Sequence, residues 1–284
     1  MQLALGTVQF GLDYGVSNTQ GQVDIDELAA ILNFAQDSGI KLLDTALQYG
    51  DAQKRLGQLQ AAKHFKIISK LTATSFNNKG ITEQLETTLS QLQCPQITGV
   101  MFHDADELLA SQGKLAFAEL EQCKSQGLTQ SIGVSVYKPE QLIAILERFE
   151  LDLVQLPFNC LDQRFVPLFS QLEQLGIEVH CRSLFLQGLL LMEPEQRPSW
   201  FQQFQPQLDK FEQAQQQAKT SKLTTALAIG EDYKAINYGV IGCTSVNQLA
   251  EIITSHKQAK LALNWPQLAS DDEQLLLPYN WQNS

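Results

Sequence analysis

Residues 131–149 read SIGVSVYKPEQLIAILERF, a short apolar run followed closely by helical spacing. In SIGVSV (131–136) apolarity is nearly continuous, as a strand covered on its outer face by a helix requires. Pro139 suits a first helical position, and Leu142, Ile145, Leu146 and Phe149 then recur at steps of three and four. The same unit recurs along the chain. The other apolar runs are LALGT (3–7), KLLDTA (41–46), KIISKL (66–71), ITGVMFHD (97–104), LDLVQLPFN (151–159), IEVHCRS (177–183) and YGVIGC (238–243), which makes eight in all. Helical spacing follows in 26–38 (Leu28, Ile31, Leu32, Ala35, with Gly39 as a stop), at Thr82, Leu85, Leu89 and Leu92, and at Leu168, Leu172 and Leu175. It returns in 244–257, where Thr244 or Ser245 serves as the cap. Strand then helix, eight times over, predicts an α/β chain folded as one (β/α)8 TIM barrel over 1–284. The rival, a doubly wound open sheet, wants a GxGxxG turn after the first strand, and none stands there. One connection is longer than the rest, about 184–237. It carries a Gln-rich stretch at 207–218, read as a solvated helix face, and the excursion is placed to help cover the barrel mouth. Residues 264–284, with Trp265, Pro266, Tyr279 and Trp281, read as a tail packing back on the barrel.

Composition narrows the function. Of the 284 residues, 44% are hydrophobic and 18% charged, which excludes a disordered polymer. The formal charge of −11 disfavours nucleic acid as a partner. No apolar run reaches the ~18–20 residues of a bilayer span, and MQLALGTVQF lacks the basic start of a signal peptide, so a cytoplasmic protein without membrane contact is expected. The cysteines (Cys94, Cys123, Cys160, Cys181, Cys243) are odd in number, widely spaced and form no CxxC pair, the pattern of reduced thiols rather than a disulfide framework or thiolate metal site.

In such a barrel, chemistry belongs at the C-terminal ends of the strands. Those ends read Asp44-Thr45-Ala46-Leu47-Gln48-Tyr49-Gly50, Ser69-Lys70, His103-Asp104, Ser135, Gln155 with Asn159, Arg182-Ser183, and Gly242-Cys243-Thr244-Ser245. Buried charges cost several kcal/mol unless paired, so packing alone does not call for Asp, Lys and His there. Asp44, Tyr49, Lys70 and His103 suit one chemistry together. A phenol titrates near pH 10, and a neighbouring ammonium lowers that value toward the working pH. A carboxylate holds the lysine charged and aimed, and an imidazole opposite orients a carbonyl oxygen. Tyr49 then delivers a proton to that oxygen while a hydride reaches the carbon. With no flavin or redox-metal signature in the chain, the hydride source is a nicotinamide.

The segment LLDTALQYGDAQKRLG resembles the signature of the aldo-keto reductases, including the five-residue step from Asp to Tyr. The interval from Lys70 to His103 fits too, and the likeness runs from LGTVQFGLDYG to VIGCTSVNQLAEII. The resemblance implies a (β/α)8 barrel that reduces aldehydes or ketones with NAD(P)H, with Asp44, Tyr49, Lys70 and His103 as its catalytic tetrad. It implies that Ser135 and Gln155 hold the nicotinamide carboxamide, with Thr7 at the end of the first run. Ser183, Phe185, Gln187 and Gly188, in RSLFLQG, resemble the loop that covers the pyrophosphate. Gly242, Thr244 and Ser245 resemble a phosphate-binding turn, where free N–H groups favour an anion.

The chain departs from the family pattern at four positions. Val136 replaces an Asn, which removes an amide contact. Arg182 stands where many members stack an aromatic ring on the nicotinamide, a role a guanidinium plane can fill. Gln53 replaces a supporting Glu. Gln248 replaces an Arg that grips the 2′-phosphate of NADPH, and so loses a charge-assisted hydrogen bond. The resemblance implies NADP(H) ahead of NAD(H), with that preference loosened by Gln248. It also implies a small carbonyl substrate, with sugar-like compounds as a lead, and a monomer or small homo-oligomer. The alternative is a nicotinamide-binding sensor or partner protein that keeps the barrel and turns over slowly. Phe10, Tyr14, Trp200 and Phe201 are candidates for the mouth, with loop packing as the competing role. Asp162 and Arg164 are read as a loop ion pair or as ligand-facing. His64, His180 and His256 are assigned to surface or packing.

Overall fold

A computed structural model of the chain describes residues 1–74 and 79–282. Eight parallel strands close into a barrel in sequence order: β1 (Gln2–Gly6), β2 (Leu42–Asp44), β3 (Lys66–Leu71), β4 (Ile97–Phe102), β5 (Thr129–Ser135), β6 (Leu153–Pro157), β7 (Glu178–Arg182) and β8 (Ile236–Ile241). β8 returns to pair with β1, so no strand edge is left open. Around them pack α1 (Ile25–Asp37), α2 (Ala52–Gln58), α3 (Ile81–Leu92), α4 (Gly113–Ser125), α5 (Pro139–Leu146), α6 (Phe169–Gln174), α7 (Gln205–Ala218), α8 (Lys222–Ala228) and α9 (Val246–Gln258).

Each of the eight apolar runs holds one strand. The bounds shift where the ladder, not the side chains, decides. β2 stops at Asp44, although the Thr45 N–H still reaches Ile68 O. β8 starts two residues before its apolar run, at Ile236, and the Asn237 side chain accepts from the Val179 N–H where the β7–β8 register slips.

Period-two alternation places the site. Ala4, Leu42, Ile68, Met101 and Leu153, joined by Tyr238 and Val240, fill the barrel interior as a separate small core. Alternate residues on a strand share a face, so the positions two further on form the next inward layer. That layer reads Gly6, Asp44, Lys70, His103, Ser135, Gln155, Arg182 and Gly242. The apolar layer is the floor, and the polar layer is the mouth.

The larger core lies between strands and helices, with Leu28, Ile31, Leu85, Leu142 and Leu249 contributing from the helices. After β7 the excursion carries α7 and α8, and the buried Leu208 and Phe211 show that α7 packs one face inward. The tail does pack back. Trp265 and Trp281 are buried, Trp281 stands edge-on to Phe201 at 4.8 Å, and Gln163 donates to Trp265 O at 2.7 Å. The last two residues of that tail lie outside the described residues.

Gly133 on β5 sits one inward layer below Ser135, and a Cβ there would fall 1.9 Å from the Leu153 carbonyl oxygen. The obstacle is the backbone of the neighbouring strand, which offers no soft relief. Gly133→Ala is expected to lower the stability of the folded chain by about 2–3 kcal/mol. Urea unfolding checks this, with the midpoint falling while the slope holds.

Candidate active site

One ion pair anchors the mouth of the barrel. Lys70 Nζ lies 2.5 Å from Asp44 Oδ1, and both side chains are almost wholly buried. Its remaining N–H groups reach Thr45 O at 3.2 Å and the Tyr49 hydroxyl at 3.3 Å. All three ammonium protons are thereby committed. The second Asp44 oxygen accepts from Gln155 Nε2 at 2.7 Å, leaving the Gln155 amide oxygen as an acceptor. On the outer face of β3, Gln53 of α2 donates to Ser69 Oγ at 2.7 Å, so this amide ties helix to strand.

Tyr49 is half-buried in the loop after β2 and meets His103 edge-to-face, with ring centroids 5.8 Å apart. Burial raises the Tyr49 phenol above its ordinary range, while the Lys70 charge pulls it the other way and Asp44 adds to the rise. The simple expectation of a net lowering by Lys70 does not hold, because burial outweighs the ammonium. Burial also tends to lower Lys70, but Asp44 and Tyr49 together hold it above the usual lysine value. His103 is pushed down to about 3, first by burial and then by the charges of Lys70 and Arg182.

These groups open on a cavity of about 680 Å3, within the range of small-molecule sites. Its wall includes Asp44, Tyr49, His103, Thr7, Ser135, Gln155, Arg182, Ser183, Phe185, Gln187, Gly188, Gly242, Thr244 and Gln248. Lys70 stands behind that wall, and so does Ser245, which caps α9 by accepting from the Gln248 N–H at 3.2 Å. Two buried oxygens on the wall, Thr7 Oγ1 and Gln9 Oε1, have no hydrogen-bond partner among the described residues. Gly242 lies so close to Gln9 that a Cβ would fall 2.8 Å from its amide nitrogen. Unpartnered polar atoms beside bare backbone fit a polar ligand such as a dinucleotide.

The phosphate-like turn at α9 has its own occupants. Gln248 Oε1 accepts from the Thr244 N–H at 2.8 Å and from Thr244 Oγ1 at 3.1 Å. Glu27 Oε1 accepts from the Val246 N–H at 2.7 Å. Glu251 lines the cavity as well.

Opposite, the loop after β7 holds Ser183, Leu186 and Gln187 at positive φ, a strained run of non-glycine residues. Gln187 donates to the Tyr14 hydroxyl at 3.0 Å, and Ser17 Oγ donates to Gln187 O at 3.4 Å. The loops after β1 and β7 therefore meet across the opening.

Arg182 is held by protein neighbours at the end of β7. Its guanidinium lies 4.0 Å from the centroid of the Tyr137 ring and donates to Val136 O at 3.0 Å. Tyr137 also lines the cavity and was missed by the sequence reading, although it ends the quoted SIGVSVY. Gln9 and Glu251 lacked any local signal. Val136 turns its side chain into the core. Asn159 is tied up holding the Leu161 and Asp162 N–H groups. Of the mouth candidates, only Tyr14 lines the cavity; Phe10 and Phe201 are buried in the core and Trp200 packs against it. Arg164 and Asp162 form a two-pronged ion pair at 2.8 Å for each contact. His180 and His256 bond to Glu178 and Glu231. The five cysteines are free thiols. Among the described residues there is no metal-binding cluster and no helix long and apolar enough to cross a membrane.

A sequence model of the Aldo/keto reductase family matches residues 2–264. The mouse (Mus musculus) aldo-keto reductase family 1 member C13 is 29% identical over 40% of this chain, and the match spans 43% of that protein's length. The holo form of aldo-keto reductase AKR11C1 from Bacillus halodurans superposes with a TM-score of 0.74 at 18% identity, covering 95% of this chain and 92% of that one. Glycerol dehydrogenase AKR11B4 from Gluconobacter oxydans gives 0.67 at 20% identity, covering 99% and 94%. At these identities the likeness to solved structures establishes the fold.

An imidazole held near pKa 3 stays neutral across the neutral and mildly acid range. The unfolded chain's histidine takes up its proton near pH 6.5, so acid favours unfolding from there downward. Between pH 7 and pH 5 the wild type is expected to lose more stability than His103→Gln, by on the order of 1 kcal/mol after allowing for solvent screening. Denaturant titrations at the two pH values check it. Proton NMR of His103 checks the premise, with no titration expected above pH 5.

Proposed function

Because this chain belongs to the aldo/keto reductase family, we propose that it reduces an aldehyde or ketone to the alcohol with a nicotinamide dinucleotide. The observation that carries this reading is the cluster at the mouth: a buried Asp44–Lys70 pair, a phenol 3.3 Å from the ammonium, and a neutral imidazole beside the phenol. In this reading each side chain has one task. Asp44 keeps Lys70 charged in a setting that would otherwise expel its proton. Tyr49 stays protonated at neutral pH and serves as general acid to the carbonyl oxygen. As its proton leaves, the developing phenolate lies beside Lys70, and the low-dielectric surroundings strengthen that attraction. His103, being neutral, donates a hydrogen bond to the same oxygen without bringing a charge.

When bound, the reduced nicotinamide supplies the hydride. Ser135 and the Gln155 amide oxygen hold its carboxamide, with Gln155 aimed by its bond to Asp44. Thr7 offers its unpartnered hydroxyl. Ser183, Phe185, Gln187 and Gly188 cover the phosphates, and Gly242, Thr244, Ser245 and Gln248 form the turn at the far end. A pure sensor has no use for a lysine-supported phenol, so the catalytic reading stands ahead of it.

The charges at that far end move the cofactor preference from NADP(H) toward NAD(H). Gln248 is neutral and folded onto Thr244, Glu27 occupies an α9 N–H, and Glu251 adds a carboxylate. A 2′-phosphate there meets no cation among the described cavity residues except Arg182, which belongs to the β7 end.

Two outcomes follow. Tyr49→Phe is expected to lower kcat/KM for aldehyde reduction by about 10²–10⁴-fold while NADH affinity stays within about twofold. Steady-state kinetics and fluorescence titration read the two effects separately. In the same titration NADH is expected to bind more tightly than NADPH, and Gln248→Arg to tighten NADPH by about tenfold. Equal or tighter NADPH binding by the wild type would reverse the cofactor assignment.

A further inference from the structure

Arg182 is the only lysine or arginine among the described residues that line the cavity. No Asp or Glu pairs with it among the described residues, whereas Lys70 and Arg164 each have a carboxylate. It is half-buried at the end of β7, in the same inward layer as Lys70, His103 and Gln155. Val136 O takes one N–H at 3.0 Å, Ser183 Oγ takes a long one at 3.4 Å, and the remaining donors of the five have no partner among the described residues. The Tyr137 ring, 4.0 Å from the guanidinium, holds its plane, and Tyr279 buttresses Tyr137 edge-on at 5.2 Å.

A guanidinium withdrawn from water without an anion is costly, and a fixed one is preorganised for a planar carboxylate or for a phosphate. Stacking on the nicotinamide suits it less, because the oxidised ring is itself a cation and the two like charges repel.

Resting on the reductase reading, we propose that Arg182 anchors the substrate, and that the substrate is a small aldehyde or ketone bearing a carboxylate or phosphate. The anion lies against the guanidinium edge, and the carbonyl then reaches Tyr49 and His103, which line the same cavity. Arg182 is thus a specificity residue, held by Tyr137 as its positioning residue. The other anion that could meet Arg182 is the cofactor's pyrophosphate, and the test separates the two.

The purified full chain is assayed on matched pairs, 4-formylbenzoate against its methyl ester and glyceraldehyde 3-phosphate against glyceraldehyde. In at least one pair the wild type is expected to favour the anion by tenfold or more in kcat/KM, with the advantage shrinking as salt rises. Arg182→Gln is expected to bring that ratio near one, and Arg182→Lys to keep part of it. The ratio is insensitive to general damage, and circular dichroism confirms folding. NADH affinity, read by fluorescence, is expected to change less than threefold in Arg182→Gln. A wild-type ratio near one in both pairs overturns the anchor while leaving the reductase reading intact. A variant that loses NADH binding but keeps the anion ratio assigns Arg182 to the pyrophosphate and also overturns it. Turnover of no aldehyde with either cofactor counts against the reductase reading itself, and the anchor falls with it.

Discussion

An ammonium buried at the mouth of a barrel sets the terms for everything around it. Lys70 is held charged only because Asp44 lies 2.5 Å away, with Thr45 O and the Tyr49 hydroxyl taking its other protons. Removing one partner from such a pair typically costs about 3–5 kcal/mol, because the charge left behind has nothing to answer it. Geometry follows from that constraint. Asp44 must face inward at the end of β2, Tyr49 must come back over the loop to meet Lys70, and Gln155 must turn its amide to the free Asp44 oxygen. The same buried setting that makes the pair expensive raises the phenol and lowers His103. Lys70 therefore opposes the rise in the phenol's pKa without reversing it, and its larger role comes when the phenolate forms.

The barrel makes this constellation cheap to assemble. Period-two alternation stacks a polar layer directly over the apolar one formed by Leu42, Ile68, Met101 and Leu153. Much of this was legible in the chain. The eight apolar runs each hold a strand, and Pro139 opens α5 as its place in the sequence implied. Asp44, Tyr49, Lys70 and His103 lie together because strand ends in a closed barrel converge on one mouth. What escaped was set by side-chain direction and long-range pairing, which spacing does not encode. Tyr137 follows a buried Val136 and turns to the cavity, while the carboxylate at the start of α9 comes from Glu27, 219 residues away in the chain. Ser245, one of the two caps offered by the sequence, caps α9 and stands behind the cavity wall.

Charge is distributed unevenly along the cavity. At the β7 end stands Arg182, fixed by Tyr137 and Val136 O. At the α9 end an amide and two carboxylates stand where a basic grip on phosphate was to be looked for. In a chain of net charge −11, Arg182 is the one lysine or arginine that lines the cavity among the described residues, and the far end carries none. Between the two ends, the Tyr14–Gln187 and Ser17–Gln187 contacts join the loops across the opening, backed by a strained run at 183–187.

The central claim is that Lys70 acts on Tyr49, and the phenol itself reports on it. Protein labelled at tyrosine Cζ gives a carbon resonance for Tyr49, assigned by its loss in Tyr49→Phe and followed through alkaline titration. In Lys70→Met the Tyr49 pKa is predicted to lie above its wild-type value, because the opposing charge is gone while the burial remains. An unchanged or lower pKa in that variant would contradict the account.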